Sequence, residues 1–185
     1  MAWFDFFKKK KQYDYDPTTM QVTDLDVGFL LDYDLSHWMV KEVLTYDWGD
    51  QCFSKTYRIE NEQKTLFLCV ETEAGLELSI YEKLPKGVLD TDIVSYYQEH
   101  QKLPNMVVCK GQTFRLQETC PGHMQSRTQK GDAENWQPVM CNDYESSTTS
   151  KLLSIEQWGD LEFEISRGKT IKEFEISNIV PSEDP

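Results

Sequence analysis

Apolar and polar residues alternate with a period of two along most of the chain, and this pattern predicts short β-strands. The alternation is clearest in two stretches that resemble each other, residues 67–80 (FLCVETEAGLELSI) and residues 152–165 (LLSIEQWGDLEFEI). Each stretch predicts a hairpin in which an apolar strand and an alternating strand flank a polar turn, near Gly75 in one and Gly159 in the other.

The two stretches align without a gap across the turn, at a constant offset of 85 residues. The identical pairs are Leu68/Leu153, Glu71/Glu156, Leu76/Leu161, Glu77/Glu162 and Ile80/Ile165. An earlier set aligns at an offset of 76, namely Trp38/Phe114, Val40/Leu116 and Glu42/Glu118. The nine additional residues in the second copy fall in the polar run after Glu118, where insertions are tolerated.

This correspondence favours an internal duplication. It predicts that equivalent apolar side chains are buried in both hairpins, at Leu68, Leu76, Leu78, Ile80, Leu153, Leu161, Phe163 and Ile165. The alternative is that any two amphipathic hairpins align passably, because strands draw on few residue types.

The remaining pattern predicts five strands before Pro85 and further strands after Pro104. Between these prolines, Asp90 is a candidate N-cap, and Ile93, Val94 and Tyr97 share a face, which predicts a short helix at about residues 91–101. The glycine and proline content predicts loops over residues 121–135 and a turn at Arg167-Gly168-Lys169.

These elements predict a mainly β protein with two related antiparallel barrel-like modules, SH3-like or meander, joined by a short helix. The expected organisation is an N-terminal segment and linker (1–23), a first β module (24–84), a helical connector (85–106), a second β module (107–180) and a disordered tail (181–185).

Charge is distributed unevenly over the 185 residues, whose net charge is −13. Residues 1–11 carry +3, so the remainder of the chain carries −16. An acidic body of this kind repels phosphates and argues against a nucleic-acid partner. Such charge maintains solubility, or it attracts a basic partner or a divalent cation. The five cysteines contain no C-x-x-C pair, which suggests free thiols in a reducing compartment, and we expect a cytoplasmic protein.

The first eleven residues combine an aromatic block with a run of lysines: Trp3, Phe4, Phe6, Phe7, Lys8, Lys9, Lys10 and Lys11. Aromatic rings suit the headgroup boundary of a bilayer, and each lysine near an anionic surface contributes about 1 kcal/mol. The segment therefore predicts weak peripheral contact with the inner membrane face, with a plain terminal tail as the alternative.

Several positions resemble a bacterial family, domain of unknown function family 4178, over about residues 24–180. They are Val27-Gly28, Trp38, the strand Phe114–Glu118 and the run Leu153-Ser154-Ile155-Glu156-Gln157-Trp158. The resemblance implies no activity and no catalytic residues. It implies an association with bacterial envelope-stress systems and small membrane proteins.

Candidate chemistry in the sequence is sparse, and no hydrolase, nucleotide-binding or kinase motif is present. One zinc site can be assembled from three thiols and one imidazole, namely Cys109, Cys120, His123 and Cys141; the alternative is that Cys109 and Cys141 are small buried hydrophobes. The recurring glutamates, Glu42/Glu118 and Glu71/Glu156, could form an acid–base pair or be repeated surface residues.

Three tryptophans at or beside predicted turns, Trp48, Trp136 and Trp158, are candidates for a partner-binding surface, or for rings folded over the barrel end. The leading hypothesis is a non-enzymatic binding or adaptor protein, without cofactor, peripheral to the membrane and linked to envelope stress. The alternatives are a β-barrel that binds a small ligand or metal between the modules, and an enzyme that uses the duplicated glutamates.

Overall fold

The computed structural model describes residues 20–85, 87–129 and 131–181. These residues form eleven strands, one α-helix and two short 3-10 turns. The strands are β1 (Phe29–Tyr33), β2 (Ser36–Asp47), β3 (Phe53–Glu60), β4 (Thr65–Glu71), β5 (Glu77–Leu84), β6 (Met106–Cys109), β7 (Gln112–Arg127), β8 (Gln137–Ser146), β9 (Lys151–Gly159), β10 (Glu162–Ile171) and β11 (Ile176–Pro181). The helix α1 spans Ile93–His100, and the 3-10 turns span Val22–Asp24 and Glu173–Glu175.

All pairings among these strands are antiparallel, in the order β11-β1-β2-β3-β4-β5-β10-β9-β8-β7-β6. A further pairing joins β2 to β7, from Val43 opposite Arg127 to Asp47 opposite His123. That pairing closes β2–β5 and β7–β10 into an antiparallel barrel of eight strands, because every strand in this ring then has two neighbours. The protein is therefore mainly β, as the sequence predicts.

One face of each barrel strand packs against a hydrophobic cluster outside the barrel, and the other face lines the barrel interior. Successive residues of a strand therefore have different surroundings. In β4, Leu68 and Val70 pack into a hydrophobic cluster on the outer face, whereas Phe67, Cys69 and Glu71 line the barrel interior. This first cluster combines side chains from β1–β5, from β11 and from the end of β10.

The same division holds in the other half of the barrel. In β9, Leu153 and Ile155 join a second hydrophobic cluster, whereas Ser154, Glu156 and Trp158 line the interior. The second cluster packs β6–β10 against α1 and Leu103. The barrel interior therefore lies between two apolar cores that contain most of the buried side chains.

Two glycines allow the strands to approach closely where the barrel closes. A Cβ on Gly122 in β7 would lie 2.5 Å from the Trp48 ring and 2.8 Å from the Asp47 carbonyl oxygen. A Cβ on Gly168 in β10 would lie 2.5 Å from the Tyr81 ring. Glycine inside a strand often marks such an approach. The predictions of a loop at residues 121–135 and of a turn at Gly168 are therefore wrong over Pro121–Arg127 and at Gly168, which belong to strands.

The predicted helix is present, although its cap is a different residue. The Asp92 carboxylate accepts a hydrogen bond from the Ser95 backbone N–H at 3.0 Å, so Asp92 is the N-cap. Asp90, which the sequence suggested, instead accepts a hydrogen bond from the Gly111 backbone N–H at 2.8 Å. It therefore connects the loop before the helix to the turn between β6 and β7.

The predicted hairpins are present, with two corrections to the predicted burial. Residues 67–80 fall in β4 and β5, and residues 152–165 fall in β9 and β10. Leu76 and Leu161 are exposed rather than buried, at 40% and 44%. Each precedes the first residue of its second strand, so the turn directs its side chain toward solvent. The other six apolar residues of the predicted set are buried.

The first and last strands, β1 and β11, do not belong to two separate β modules. β11 pairs with β1, and Ile171, Ile176 and Ile179 pack in the first cluster, although the sequence assigned them to the second module. Residues 1–19, with the aromatic and lysine segment, and the tail 182–185 lie outside the described residues.

Candidate functional site: the interior of the barrel

The barrel interior contains a cavity of about 540 Å³. This volume is typical of small-ligand sites. Side chains from all eight strands of the ring contribute to the wall. The inward-facing side chains are a mixture of polar groups and aromatic rings, and they leave this space open between the two apolar clusters.

Acidic groups outnumber basic groups on this wall. Two basic side chains are present, Arg58 and Lys83, against six carboxylates: Glu42, Glu71, Asp143, Glu156, Glu162 and Glu164. Arg58 Nε donates to Glu42 at 2.6 Å, and Lys83 Nζ donates to Glu164 at 2.6 Å. Both bases are therefore already paired with carboxylates of the same wall.

Asp143 and Glu156 lie inside the barrel without a basic partner among the described ion pairs. Burial raises the pKa of both carboxyls. A hydrogen bond from Ser154 partly offsets the shift at Asp143, and a hydrogen bond from Tyr46 and the charge of Lys83 partly offset it at Glu156. Glu71 lies at the rim, and partial burial also raises its pKa. The interior therefore holds carboxyl groups whose negative charge is only partly compensated.

Aromatic rings share the wall with these carboxyls. The described members are Tyr46, Trp48, Phe67, Tyr81, Trp158 and Phe163. Tyr46 stacks on Trp48 with ring centroids 5.1 Å apart, and the Trp48 indole N–H donates to Ser54 Oγ at 2.9 Å. The Trp158 indole N–H is buried and has no acceptor among the described residues. The rings and the carboxyls together form an environment suited to a cation.

The two thiols of the interior are held in their protonated form. Burial raises the pKa of Cys69 to about 12, and burial next to Asp143 raises the pKa of Cys141. Cys141 Sγ lies 3.3 Å from Ser154 Oγ and 3.5 Å from Asp143 Oδ1. Because the thiolate is the nucleophile, these cysteines are poor nucleophiles at neutral pH.

A second cavity of about 560 Å³, more open to solvent, adjoins the first. Trp48 and Trp158 belong to the walls of both cavities. The rest of this outer wall is mostly apolar or uncharged and includes Tyr97, Pro121, Pro138, Val139 and Met140. We call this outer cavity the vestibule and the inner one the barrel cavity.

The sequence candidates divide between the cavity and other places. Trp48 and Trp158 line both cavities, whereas Trp136 is 43% exposed, so the three do not form one flat surface. Of the recurring glutamates, Glu42, Glu71 and Glu156 line the barrel cavity, and Glu118 is exposed on β7. The sequence did not single out Asp143, Tyr46 or Tyr81. For Asp143 and Tyr81 the available signal was a polar side chain directly beside a buried apolar position in its strand, whereas the neighbours of Tyr46 give no such signal.

The four proposed zinc ligands are spread over the second half of the barrel. Cys120 and Cys141 face each other across β7 and β8, but Cys109 packs in the second hydrophobic cluster, and His123 lies opposite Asp47 at the β2–β7 pairing. Within residues 20–85, 87–129 and 131–181, no three or more His, Cys, Asp or Glu side chains are placed to hold a metal ion. The structure therefore does not bring this zinc set together.

The proposed membrane-contact residues, Trp3, Phe4, Phe6, Phe7 and Lys8–Lys11, lie outside the described residues. In the part of the chain that the structure describes, no helix has the length and apolar character to cross a bilayer.

Comparison with known proteins identifies the family. The chain belongs to the family described as Domain of unknown function (DUF4178), which matches residues 26–173. The chain is also similar to an uncharacterized protein of Aquifex aeolicus (strain VF5), with 23% identity over 176 residues that cover 95% of this chain and 94% of the relative. No solved structure matches the chain. The family resemblance read from the sequence is therefore confirmed, and the bacterial relative agrees with it.

Proposed function

We propose that this protein is a non-enzymatic binding protein whose barrel interior holds a small organic cation. The observation that carries the proposal is the barrel cavity of about 540 Å³, in which Asp143 and Glu156 have no basic partner among the described ion pairs. A cation bound between them supplies the missing positive charge, and the faces of the surrounding aromatic rings attract it.

Desolvation favours this occupant over an anion or a neutral solute. Withdrawing a carboxylate from water is costly unless a positive charge or hydrogen bonds compensate it. Tyr46 supplies one hydrogen bond to Glu156 at 2.8 Å, which leaves the negative charge in place. A bound ammonium group supplies both charge and N–H donors to Glu156 and Asp143, whereas an anion is repelled by the same groups.

The experiment is calorimetric titration of the full-length protein with tetramethylammonium, n-butylamine and sodium acetate at low ionic strength. Both cations are expected to bind, and acetate is expected not to bind. Glu156→Gln is expected to weaken cation binding by about tenfold, since it removes one charge and keeps the side-chain shape. The matched control is Glu62→Gln, at an exposed position between β3 and β4, which is expected to leave binding unchanged. Equal binding of acetate and the cations contradicts the proposal.

The proposed internal duplication places the cavity between two equivalent halves, and two observations support it. In the β5–β10 pairing, Glu82 lies opposite Arg167, and these residues are 85 positions apart, which is the offset of the repeated hairpins. The register shifts at Lys41 in β2 and at Gln117 in β7, which are 76 positions apart, the offset of the earlier repeated set. An experimental structure in which β2–β5 and β7–β10 superpose about one twofold axis tests the duplication.

A second candidate function is an adaptor, for which one exposed edge is the supporting observation. Leu35 and Phe174 are the most exposed large apolar side chains among the described residues, at 105% and 83%. They lie at the same end of the β1–β11 pair, where Tyr33 is opposite Ile176. Exposed apolar side chains of this size suit a hot spot in a protein interface. Single alanine substitutions at Leu35 and Phe174 that abolish a co-purifying partner, with thermal stability retained, test this candidate.

The proposed cellular setting is the cytoplasmic side of a bacterial membrane. The aromatic and lysine segment of residues 1–11 is proposed to make weak peripheral contact there, in a role connected with envelope stress. The −16 charge of the remaining chain limits that contact to the first residues, because an anionic surface repels the barrel.

A further inference from the structure

Two glutamates hold an arginine in the first half of the barrel, strands β2–β5, and the second half, strands β7–β10, repeats the glutamates but not the arginine. We propose that the second half binds the guanidinium group of a small ligand, at the position that corresponds to the Arg58 side chain. This inference rests on the proposed function, because Asp143 belongs to both sites, and it narrows the ligand from an organic cation to an alkylguanidinium.

The arginine site of the first half is complete. Arg58 on β3 lies opposite Glu42 on β2, directly after a register shift that follows Val40. Its Nε donates to Glu42 Oε2 at 2.6 Å, and its Nη1 donates to Glu60 Oε1. Hydrogen bonds between a guanidinium and carboxylates are charge-assisted and therefore strong. The first half thus shows how this strand geometry holds a guanidinium between two glutamates.

The second half has a carboxylate where the first half has the arginine. On β7 and β8, Glu118 lies opposite Asp143, directly after a register shift that follows Leu116. The offsets are those of the repeated stretches, 76 from Glu42 to Glu118 and 85 from Arg58 to Asp143. Both pairs therefore occupy the same place relative to the strand irregularity, and a pair of carboxylates replaces an ion pair.

The second glutamate of the arginine site is repeated as well. Glu145 is 85 positions after Glu60, and each lies two residues beyond the central position of its site, on the same face of its strand. Arg115 lies opposite Glu145, but the described ion pairs do not include Arg115. The repeated carboxylates are therefore placed as in the first half, and the guanidinium between them is missing.

Space and negative charge coincide at this place. Asp143 and Glu145 line a third cavity, of about 250 Å³, and Asp143 and Tyr81 belong to the walls of both this cavity and the barrel cavity. Burial raises the pKa of Asp143, and the negative charge of Glu118 raises it further. A guanidinium bound in the third cavity offsets this charge, and its alkyl chain extends past Tyr81 into the barrel cavity.

The arrangement of the carboxylates favours a guanidinium over an ammonium group. Glu118 and Asp143 approach from neighbouring strands, and Glu145 approaches from the next inward position of β8. A planar guanidinium presents its N–H donors in a fixed fork and can bond several carboxylates at once, as Arg58 does, whereas an ammonium is a compact point charge.

Three probes of equal chain length test the headgroup. Calorimetric titration of the full-length protein at low ionic strength compares n-butylguanidinium, n-butylamine and the neutral N-butylurea. We expect n-butylguanidinium to bind about tenfold more tightly than n-butylamine, the gain of one further hydrogen bond to a charged group. N-butylurea has a similar shape without the charge and is expected not to bind.

Glu118→Gln tests the site without altering Asp143. Glu118 lies outside the described wall of the barrel cavity, so the variant is expected to weaken n-butylguanidinium binding about tenfold and n-butylamine binding by at most about twofold. The matched control is Glu62→Gln, the same change at an exposed position between β3 and β4, which is expected to leave both affinities unchanged.

Asp143→Arg supplies the missing guanidinium from the chain itself and needs no ligand. Arginine and lysine bring the same charge, but only arginine can bond Glu118 and Glu145 together. Asp143→Arg is therefore expected to melt about 2–4 °C higher than Asp143→Lys and to bind no n-butylguanidinium. A lower melting temperature for the arginine variant contradicts the inference.

The outcomes assign a failure to one proposal or the other. If n-butylamine binds and n-butylguanidinium binds no more tightly, or if Glu118→Gln weakens both equally, the guanidinium site is ruled out and the cation site stands. If n-butylguanidinium binds and n-butylamine does not, the guanidinium site stands and the ammonium site between Asp143 and Glu156 is ruled out. If neither cation binds, or if N-butylurea binds as tightly as n-butylguanidinium, both are ruled out.

Discussion

The Tyr46 hydroxyl donates a hydrogen bond to Glu156 Oε1 at 2.8 Å, between residues that are 110 positions apart in the chain. Tyr46 lies on β2 and Glu156 on β9, so the bond connects the two halves of the barrel. Burial together with this carboxylate raises the pKa of Tyr46 well above its ordinary value. Tyr46 is therefore a permanent donor at neutral pH, and its bond holds Glu156 in position inside the cavity.

Glu156→Gln is expected to stabilise the protein while it weakens cation binding. The substitution removes a carboxyl whose ionised form is disfavoured by burial, and the glutamine carbonyl still accepts the Tyr46 bond. At pH 7.5 the unfolding free energy is expected to increase. Urea denaturation of both proteins measures it. A loss of stability would show that Glu156 serves the fold rather than a ligand.

The stability of the protein is expected to fall as pH rises from about 4.5 toward neutrality. The folded pKa of Asp143 and of Glu156 is raised above the unfolded value, so the folded state holds more protons in this window. Their contribution to stability is complete below the unfolded pKa and is lost as pH rises through the folded pKa. Urea denaturation between pH 4 and pH 8 measures the slope.

The control for this pH dependence is the double variant Asp143→Asn/Glu156→Gln. Because neither replacement titrates, the variant is expected to show a flatter profile over the same window. Identical slopes in the two proteins would contradict the placement of these carboxyls in a poorly solvated interior.

Gly122→Ala is expected to destabilise the barrel by about 1–3 kcal/mol. The added methyl meets the Trp48 ring at 2.5 Å and the Asp47 carbonyl oxygen at 2.8 Å, and Trp48 is held by its stacking on Tyr46. The matched control is Gly159→Ala, where the nearest atom lies 3.8 Å away and no loss is expected. Thermal melting compares them, and equal melting temperatures would mean that the β2–β7 pairing is looser than described.

Leu35→Gly is expected to raise the unfolding free energy by about 0.5–1 kcal/mol. Asp34 and Leu35 form the two-residue turn between β1 and β2 with φ angles of 50° and 58°. Glycine adopts this left-handed conformation without strain, and Asp-Gly is a preferred pair in such turns. The leucine makes no compensating contact, since its side chain is fully exposed. If chemical denaturation shows that the variant is more stable, Leu35 is retained for binding rather than for the fold. A less stable variant would indicate that Leu35 makes a structural contact.

The first eleven residues are expected to direct the full chain to anionic vesicles but not to neutral vesicles. Four lysines and four aromatic rings supply the attraction, and salt is expected to weaken it because the charges are exposed. In a co-sedimentation assay, deletion of residues 1–11 is expected to abolish pelleting. Equal pelleting of both proteins, or none by the full chain at low salt, would reduce the segment to a plain tail.

The sequence by itself determined most of the secondary structure of this protein and the buried face of the repeated hairpins. Alternating residues such as Leu68, Val70, Leu153 and Ile155 identified the strands and the apolar face of each hairpin, because the period of two is a local property of extended chain. The short helix was predicted within two residues of its bounds, although the cap is Asp92 rather than Asp90.

Only the tertiary structure decided that the strands close into one barrel with a cavity inside. The β2–β7 pairing joins Val43 to Arg127, and no local pattern records which distant strands meet. Gly122 and Gly168 were read as turn residues because glycine has two uses, and only the packed rings of Trp48 and Tyr81 distinguish a close approach from a bend. For the recurring glutamates the sequence allows both an acid–base pair and surface residues, since alternation shows that the two faces of a strand differ but not what the second face meets. In this barrel the second face of each strand lines a cavity, and Glu156 and Asp143 therefore lie in the interior.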